Sequence, residues 1–354
     1  MEKTNNNLVI EQGDLSRRSF IKAGVGLTAA TGLKYSNSES LYSMTGSSGM
    51  YVGFLTGGLQ NLPLEDVIVW ASQNGFKALE VPCDPPTSKK NRHLAVESFT
   101  NADAEKLKSL LQRYNLTISA IGNYSNNLDQ NLSARESSIS HLRKIIDAAF
   151  LLGVQNVGTF VGRDNTKTIE QNVELAKTVM TPVIRYAGDK GINVVIENCP
   201  MQGWHPESLP GQIFYSPEIW KALFDAIGEK NFGLNFDPSH LYWQQIDYVQ
   251  AVKDFRARIF HTHAKDTEIL QDGLNKYGTF GKMLNKKSAW DNGWWLYRIP
   301  GFGSVDWKKY FAALKEINYT GVVSIEHEDP SFSGTEVLFK EGLVKGGQFL
   351  SLYI

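Results

Sequence analysis

A two-part pattern recurs along the chain from residue 50 onward. Short runs of apolar and β-branched residues alternate with longer segments whose apolar positions recur at helical spacing, with Gly or Asn in several of the turns. The predicted strands cover 50–55, 78–82, 117–122, 156–160, 193–197, 233–237, 258–264 and 322–328. The predicted helices cover 63–74, 101–114, 134–152, 168–190, 216–228, 246–256 and 305–317, with a last one near 335–345.

This alternation predicts an α/β fold in which a parallel sheet closes into a (β/α)₈ TIM barrel. An open, doubly wound sheet is the alternative. It usually has a glycine-rich phosphate turn after its first strand, and "GFLTGGLQ" (53–60) has neither the Gly-x-Gly-x-x-Gly spacing nor a P-loop. One insertion interrupts the alternation at about 267–304, and its length and its aromatic and glycine residues favour a substrate lid.

The first 48 residues do not follow the pattern. "SRRSFIK" (16–22) and the weakly apolar "AGVGLTAATGL" (23–33) resemble a twin-arginine export signal, with a disordered basic tail as the alternative. We therefore predict an export signal and linker over 1–48 and a single barrel domain over 49–354. An exported, periplasmic protein is expected.

Composition narrows the classes of partner. The chain has 36 basic and 37 acidic residues, which argues against a broad nucleic-acid-binding surface. Its 2 cysteines give neither a disulfide framework nor a thiolate zinc cluster. No apolar run reaches the roughly 18 residues of a transmembrane candidate, so stable membrane insertion is not expected.

Candidate chemistry lies at the ends of the last four predicted barrel strands, where barrel enzymes place their active sites. The fifth strand ends in Glu197. The sixth leads into Asp237, which Pro238 keeps extended, and His240 falls in the following turn, where it could point back over the barrel mouth. Taken singly, each of these has a structural explanation, as a strand-end ion pair or a polar turn.

The last two barrel strands add more ionisable groups. Period-two alternation puts His261, His263 and Lys265 on one face of the seventh strand. It likewise puts Glu326 and Glu328 on the inward face of the eighth. A lone interior histidine is usually a satisfied core residue, but three titratable groups on one face are hard to explain by packing.

Four of these residues form a predicted metal site, namely Glu197, Asp237, His263 and Glu326. Three carboxylates and one imidazole suit a divalent ion that prefers oxygen ligands. Mn²⁺ is the expected ion, with Mg²⁺, Co²⁺ and Zn²⁺ as alternatives.

The motifs "VIEN", "FDPSH", "HTH", "HAKD", "SIEHED" and "PGFGSVDW" resemble the sugar phosphate isomerase/epimerase family of xylose isomerase-like TIM barrels over about residues 50–350. That family includes ketose 3-epimerases, hydroxypyruvate isomerase and inosose dehydratase. The resemblance implies the same four metal ligands and a substrate contact at His240. Because such barrels often pair, a homodimer is also an expectation.

The predicted activity is metal-dependent isomerisation or epimerisation of a sugar, by proton abstraction next to a carbonyl through an enediolate. Glu197 and Glu326 are the predicted base and acid. The predicted substrate contacts are His240, Lys265, His261, Arg298 on the lid and Trp204 as a stacking surface, with Trp294 and Trp295 as further candidates. A lyase or dehydratase acting on a keto-sugar or 3-keto-glycoside would use the same residues. An exported sugar-binding barrel without activity and a metal-dependent endonuclease are the remaining alternatives.

Overall fold

The computed structural model describes residues 49–88, 92–205, 207, 209–287 and 291–354. The predicted export signal and linker at 1–48 lie outside these described residues. Within the described part, no helix is both long and apolar enough to cross a bilayer.

Eight parallel strands close into a barrel, which confirms the predicted fold. They are β1 (Tyr51–Leu55), β2 (Ala78–Pro82), β3 (Thr117–Gly122), β4 (Asn156–Thr159), β5 (Asn193–Glu197), β6 (Phe232–Phe236), β7 (Ile259–Ala264) and β10 (Val322–Ile325). Each strand pairs with its neighbours along the chain, and β10 closes the ring between β7 and β1. Two further strands, β8 (Asp266–Ile269) and β9 (Trp295–Arg298), form a separate antiparallel ribbon.

Each predicted helix has a counterpart in the structure. The helices are α1 (Leu64–Gln73), α2 (Asn101–Arg113), α3 (Leu132–Leu152), α4 (Ile169–Gly188), α5 (Pro217–Ile227), α6 (Pro238–Trp243), α7 (Tyr248–Asp254), α8 (Gln271–Tyr277), α9 (Trp307–Glu316) and α10 (Glu336–Leu350). The short α6 and α8 were not predicted. The turn expected at 238–240 is in fact helical, because Asp237 caps it and Pro238 occupies its first position.

Helix α5 illustrates why these segments pack on the barrel. Pro217 stands at its first turn, and Gly228 ends it with a φ of 76° that favours glycine. Its buried side chains recur every three to four residues and include Trp220, Leu223 and Phe224. Burying each of these contributes about 1.5–3 kcal/mol, so packing on the sheet rather than helix propensity stabilises the helix.

The ends of the predicted lid are fixed to the barrel. Strand β8 follows directly on β7, and Asp266 pairs with Arg298 in the register of the ribbon. The buried Asp266 carboxylate accepts hydrogen bonds from the backbone N–H groups of Thr267, Gly301 and Val305 at 2.8, 3.0 and 2.9 Å. The indole of Trp307 donates a fourth, at 2.8 Å. One carboxylate therefore ties both ends of the insertion to α9.

Replacing Asp266 by Ala should destabilise the protein by about 3 kcal/mol or more, because buried N–H donors would lose their acceptor. Urea unfolding followed by circular dichroism would measure the loss. The control is Asp306→Ala, which removes only the exposed cap of α9 and should cost about 1 kcal/mol. Equal losses in the two variants would contradict the anchoring role of Asp266.

Candidate metal centre

The carboxyl ends of β5, β6, β7 and β10 bring ionisable side chains together at one end of the barrel. Glu197 is the last residue of β5, Asp237 follows β6, and Glu326 follows β10. His263 projects from β7 and is fully buried. All four predicted metal ligands therefore meet at one point.

Local structure orients the carboxylate of Asp237. Its Oδ1 accepts the N–H of Ser239 at 2.8 Å as the cap of α6. Its backbone N–H donates to Asn198 Oδ1 at 2.8 Å, and Asn198 donates back to its carbonyl at 2.9 Å. With Oδ1 and the backbone held in place, Oδ2 is buried and has no hydrogen-bond partner among the described residues.

His263 presents a second unsatisfied atom to the same point. Its Nδ1 lies 3.0 Å from Glu326 Oε2, 3.7 Å from Glu197 Oε1 and 3.9 Å from Asp237 Oδ2. Within the described part of the chain, this buried Nδ1 has no hydrogen-bond partner. Buried polar atoms are rarely left unpaired. Two such atoms converging with two further carboxylates fit the ligand set of a divalent metal.

His240 lies within the same cluster of ionisable side chains. Its Nε2 lies 2.9 Å from Glu197 Oε1 and 3.4 Å from Asp237 Oδ2. Ligand atoms of Glu197, Asp237, His240 and Glu326 all lie within 4.8 Å of one another. His240 was predicted as a substrate contact only, and the structure makes it a candidate ligand as well. The phenol of Tyr297, on β9, hydrogen-bonds its other nitrogen at 2.8 Å.

Lys265 supplies the positive charge of this cluster. Its Nζ lies 2.7 Å from Glu326, 3.1 Å from Glu328 and 3.4 Å from Asp237. Burial would lower the pKa of Lys265, but the surrounding carboxylates outweigh burial and raise it well above the usual value. The Tyr297 ring covers the ammonium at 4.3 Å.

The same interactions keep the two predicted catalytic carboxyls ionised. Burial would raise the pKa of Glu197, but Lys265 and two histidine rings outweigh it and hold this pKa well below its usual range. Burial and the Glu197 charge would raise the pKa of Glu326, but Lys265 and His263 lower it overall. Both carboxylates can therefore accept a proton.

A cavity of about 670 Å³ opens above the cluster. Glu197, Lys265 and Glu326 are among its polar lining residues. Its walls carry several aromatic or large apolar side chains, including Tyr124, Phe160, Met201, Trp295, Tyr297 and Phe339. The ribbon thus forms part of the wall of the cavity.

Three predicted substrate contacts lie elsewhere. His261 is buried inside the barrel, where Asn235 and Ser119 occupy its two nitrogens at 2.9 and 3.0 Å. Trp204 packs edge-on against Phe160 and does not line the cavity. Arg298 does not line it either.

The long side chain of Arg298 is held in ion pairs. Its guanidinium binds Glu268 at 2.6 Å and Asp329 at 2.9 Å. It thereby joins β9 to the loop after β10. These ion pairs tether neighbouring segments, and the substrate contact predicted for Arg298 stays a prediction.

The model of a known family matches residues 68–345, and that family is described as the xylose isomerase-like TIM barrel. The chain belongs to the xylose isomerase-like TIM barrel family. The predicted resemblance is therefore confirmed. The protein YfiH of Bacillus subtilis, which has no described function, is 28% identical over 304 residues, covering 80% of this chain and 94% of its own length.

Relatives with described activities match over shorter stretches. The inosose dehydratase of Clostridium botulinum (strain Alaska E43) is 29% identical over 184 residues, or 51% of this chain and 54% of that protein. The inosose isomerase of Bacillus velezensis is 24% identical over 195 residues, covering 55% and 61%. The prediction of an enzyme is thus confirmed at the level of this family, whose relatives include isomerases and dehydratases.

Solved structures of the family share the barrel. A D-psicose 3-epimerase crystallised with D-fructose matches with a TM-score of 0.63 and 15% identity, covering 86% of this chain and 99% of that one. The IolI protein with a bound zinc atom matches with a TM-score of 0.63 and 18% identity, over the same shares of the two chains. These likenesses establish the shared fold.

The sequence did not predict three side chains of this site. Tyr297 contacts His240 and Lys265, and Tyr124 lines the cavity. Glu80, on β2, accepts a hydrogen bond from His263 at 2.9 Å. The sequence signal for Glu80 is a single carboxylate in the otherwise apolar strand "ALEVP".

Adding Mn²⁺ at one hundred times its dissociation constant to the chelator-treated protein should stabilise it by about 2.7 kcal/mol and raise its melting temperature. Asp237→Ala should abolish this rise. The matched control is Asp247→Ala, since Asp247 caps α7 in the same way but lies outside the cluster. Differential scanning fluorimetry would measure both. An undiminished rise in Asp237→Ala would exclude Asp237 as a ligand.

Proposed function

We propose that the protein is a divalent-metal-dependent isomerase or epimerase that acts on a sugar or sugar derivative. The reaction is proton abstraction at a carbon next to a carbonyl, through an enediolate. One observation carries the proposal. Glu197 and Glu326 come from the two outer strands of the four that carry the cluster, both line the cavity, and their carboxylate oxygens lie within 4.8 Å of each other. The epimerases and isomerases among the family's relatives support it.

The ligand set we propose is Glu197, Asp237, His263 and Glu326, with His240 as a further candidate. A divalent ion held there would supply Lewis-acid polarisation of the substrate carbonyl. We propose Mn²⁺, since most of the donors are carboxylate oxygens. Zn²⁺ is the alternative, supported by the zinc atom in the IolI structure.

The proton transfer is assigned to the two carboxylates. Glu197 takes the proton from the carbon, and the electron pair of the broken C–H bond forms the enediolate. Glu326, which lines the cavity, takes up a proton from solvent and delivers it to the other face of that carbon, which inverts its configuration. Glu197 then releases the abstracted proton to solvent, so both carboxylates return to their ionised form. Lys265, whose Nζ lies 2.7 Å from Glu326 Oε2, keeps that carboxylate in place.

Other side chains hold the substrate. The Lys265 ammonium can bind a substrate oxygen without moving, because the carboxylates and the Tyr297 ring already fix it. Tyr297 in turn keeps His240 oriented.

A lyase acting on a 3-keto-glycoside is the second candidate, and the cavity favours it. A volume of about 670 Å³ is in the range of sites for ligands larger than one hexose. Its apolar walls, with Met201 and Phe339 among them, suit the group attached to the sugar rather than a second polyol. Abstraction of the same α-proton followed by loss of that group would use the same carboxylates. The inosose dehydratases among the relatives support an elimination.

Export supplies a setting for either reaction, since an exported enzyme would meet free sugars and glycosides. It rests on the twin-arginine pattern at 16–22 and stays a prediction. Fractionation of cells that express the full chain would test it.

Incubating the Mn²⁺-loaded protein in D₂O with ketoses, inososes and 3-keto-glycosides should give deuterium incorporation next to the carbonyl. Glu326→Gln should lower the exchange rate by about 10²–10⁴-fold, because the carboxylate is lost. NMR or mass spectrometry of the recovered sugar measures exchange, and release of the attached group identifies the lyase.

The control for this substitution is Glu336→Gln on α10, which pairs with Lys340 away from the cavity and should exchange at the normal rate. A normal rate in Glu326→Gln would remove Glu326 from the mechanism. Failure of every substrate class to exchange, with metal bound, would overturn the proposed function.

A further inference from the structure

Glu80 is a buried carboxylate on a strand that carries none of the predicted ligands, but it contacts one of them. Strand β2 carries it, and 1% of its surface is exposed. Four donors converge on it: Tyr124 Oη at 2.5 Å, Ser324 Oγ at 2.9 Å, His263 Nε2 at 2.9 Å and Asn235 Nδ2 at 3.5 Å. Burying a carboxylate charge away from water costs several kcal/mol unless the charge is paired. A buried carboxylate with several donors is therefore expected to have a specific role.

The contact with His263 determines which ring nitrogen carries hydrogen. Nε2 has two neighbours, Glu80 Oε2 and Asn235 Nδ2, each at 2.9 Å. Only the carboxylate can accept a proton, because the amide nitrogen is a donor. Nε2 is therefore the nitrogen that donates to Glu80. This leaves Nδ1, which faces Glu197 and Glu326, as the nitrogen that would bind a metal ion in place of its proton.

The backbone is irregular where this contact is made. The register between β2 and β3 shifts between Leu79 and Glu80, and that between β6 and β7 shifts between Leu234 and Asn235. Such irregularities are rare in parallel sheets, and next to active sites they redirect a side chain. Both shifts border the Glu80–His263 contact.

A second metal site at this place is the competing explanation. Ligand atoms of Glu80, His261 and His263 do lie within 4.8 Å of one another. However, the two nitrogens of His261 are engaged by Asn235 and Ser119. His261 therefore has no free nitrogen for a metal. The remaining contact of Glu80 with a histidine is its hydrogen bond with His263.

We propose that Glu80 is a positioning residue, which fixes the tautomer and orientation of His263 and so raises the affinity of the metal centre. This inference rests on the proposed function, because it takes His263 as a ligand. Carboxylates that accept a hydrogen bond from a metal-binding histidine typically account for about 10–100-fold in metal affinity.

The test is a titration of the chelator-treated chain with Mn²⁺, in which electron paramagnetic resonance measures the free ion. Glu80→Gln keeps the shape and loses the charge, and it should raise the dissociation constant of Mn²⁺ about 10–100-fold. At saturating Mn²⁺ one ion should still bind. An unchanged dissociation constant would overturn the inference.

The matched control is Ser119→Ala. Its hydroxyl makes a partly buried hydrogen bond, at 3.0 Å, to Nε2 of His261, a histidine of the same strand that is not a proposed ligand. Its Mn²⁺ affinity should equal that of the unmodified chain. A double-variant cycle tests whether Glu80 acts through His263. In a His263→Ala background, Glu80→Gln should change the Mn²⁺ affinity by less than twofold. An effect of about 10–100-fold there would show that Glu80 attracts the ion by its charge alone and would overturn the positioning role.

A measurement on the unmodified chain covers the case in which Glu80→Gln does not fold. In the Mg²⁺-loaded protein, ¹H–¹⁵N correlations of the histidine rings should show His263 protonated at Nε2 and bare at Nδ1. The opposite tautomer would overturn the inference. If the unmodified chain bound no divalent ion at all, the proposed function would fail instead, so the two failures are distinguishable.

Discussion

The site depends on the balance of charge between a group of buried carboxylates and the cations that face them. Glu197, Asp237 and Glu326 lie within a few ångströms of one another at the end of the barrel, where their side chains are mostly buried. Like charges this close in a low dielectric would repel strongly and take up protons. Lys265 and His263 prevent this, and the pKa values of Glu197 and Glu326 stay below their usual range.

This balance explains why so many neighbouring side chains are fixed. The ammonium of Lys265 cannot move far without leaving carboxylates unpaired, and the Tyr297 ring packs over it at 4.3 Å. Tyr297 comes from the insertion, whose ends Asp266 ties to the barrel. The insertion is thus a structural part of the site. Its Tyr297 contacts the polar cluster, and Asp266 fixes the ends of the segment that carries Tyr297.

The sequence was sufficient to predict the barrel and the meeting of four predicted ligands, because both follow from strand periodicity. Strands with alternating faces place Glu197 and His263 inward wherever the barrel closes. The sequence was not sufficient to predict the ion pairs of Arg298, because they depend on how the ribbon and the loop after β10 approach each other in space. Glu80 and Tyr297 were missed for the same reason, since their partners are distant in sequence.

The closing position of β10 has a consequence for folding order. Glu326 follows directly on this strand, which also fills the gap between β7 and β1, so one event completes the ring of hydrogen bonds and the cluster of predicted ligands. During synthesis, a chain that ends before residue 322 lacks both. The cluster is therefore complete only in chains whose first and last strands have met, and contacts between residues so far apart in sequence are the kind that form slowly.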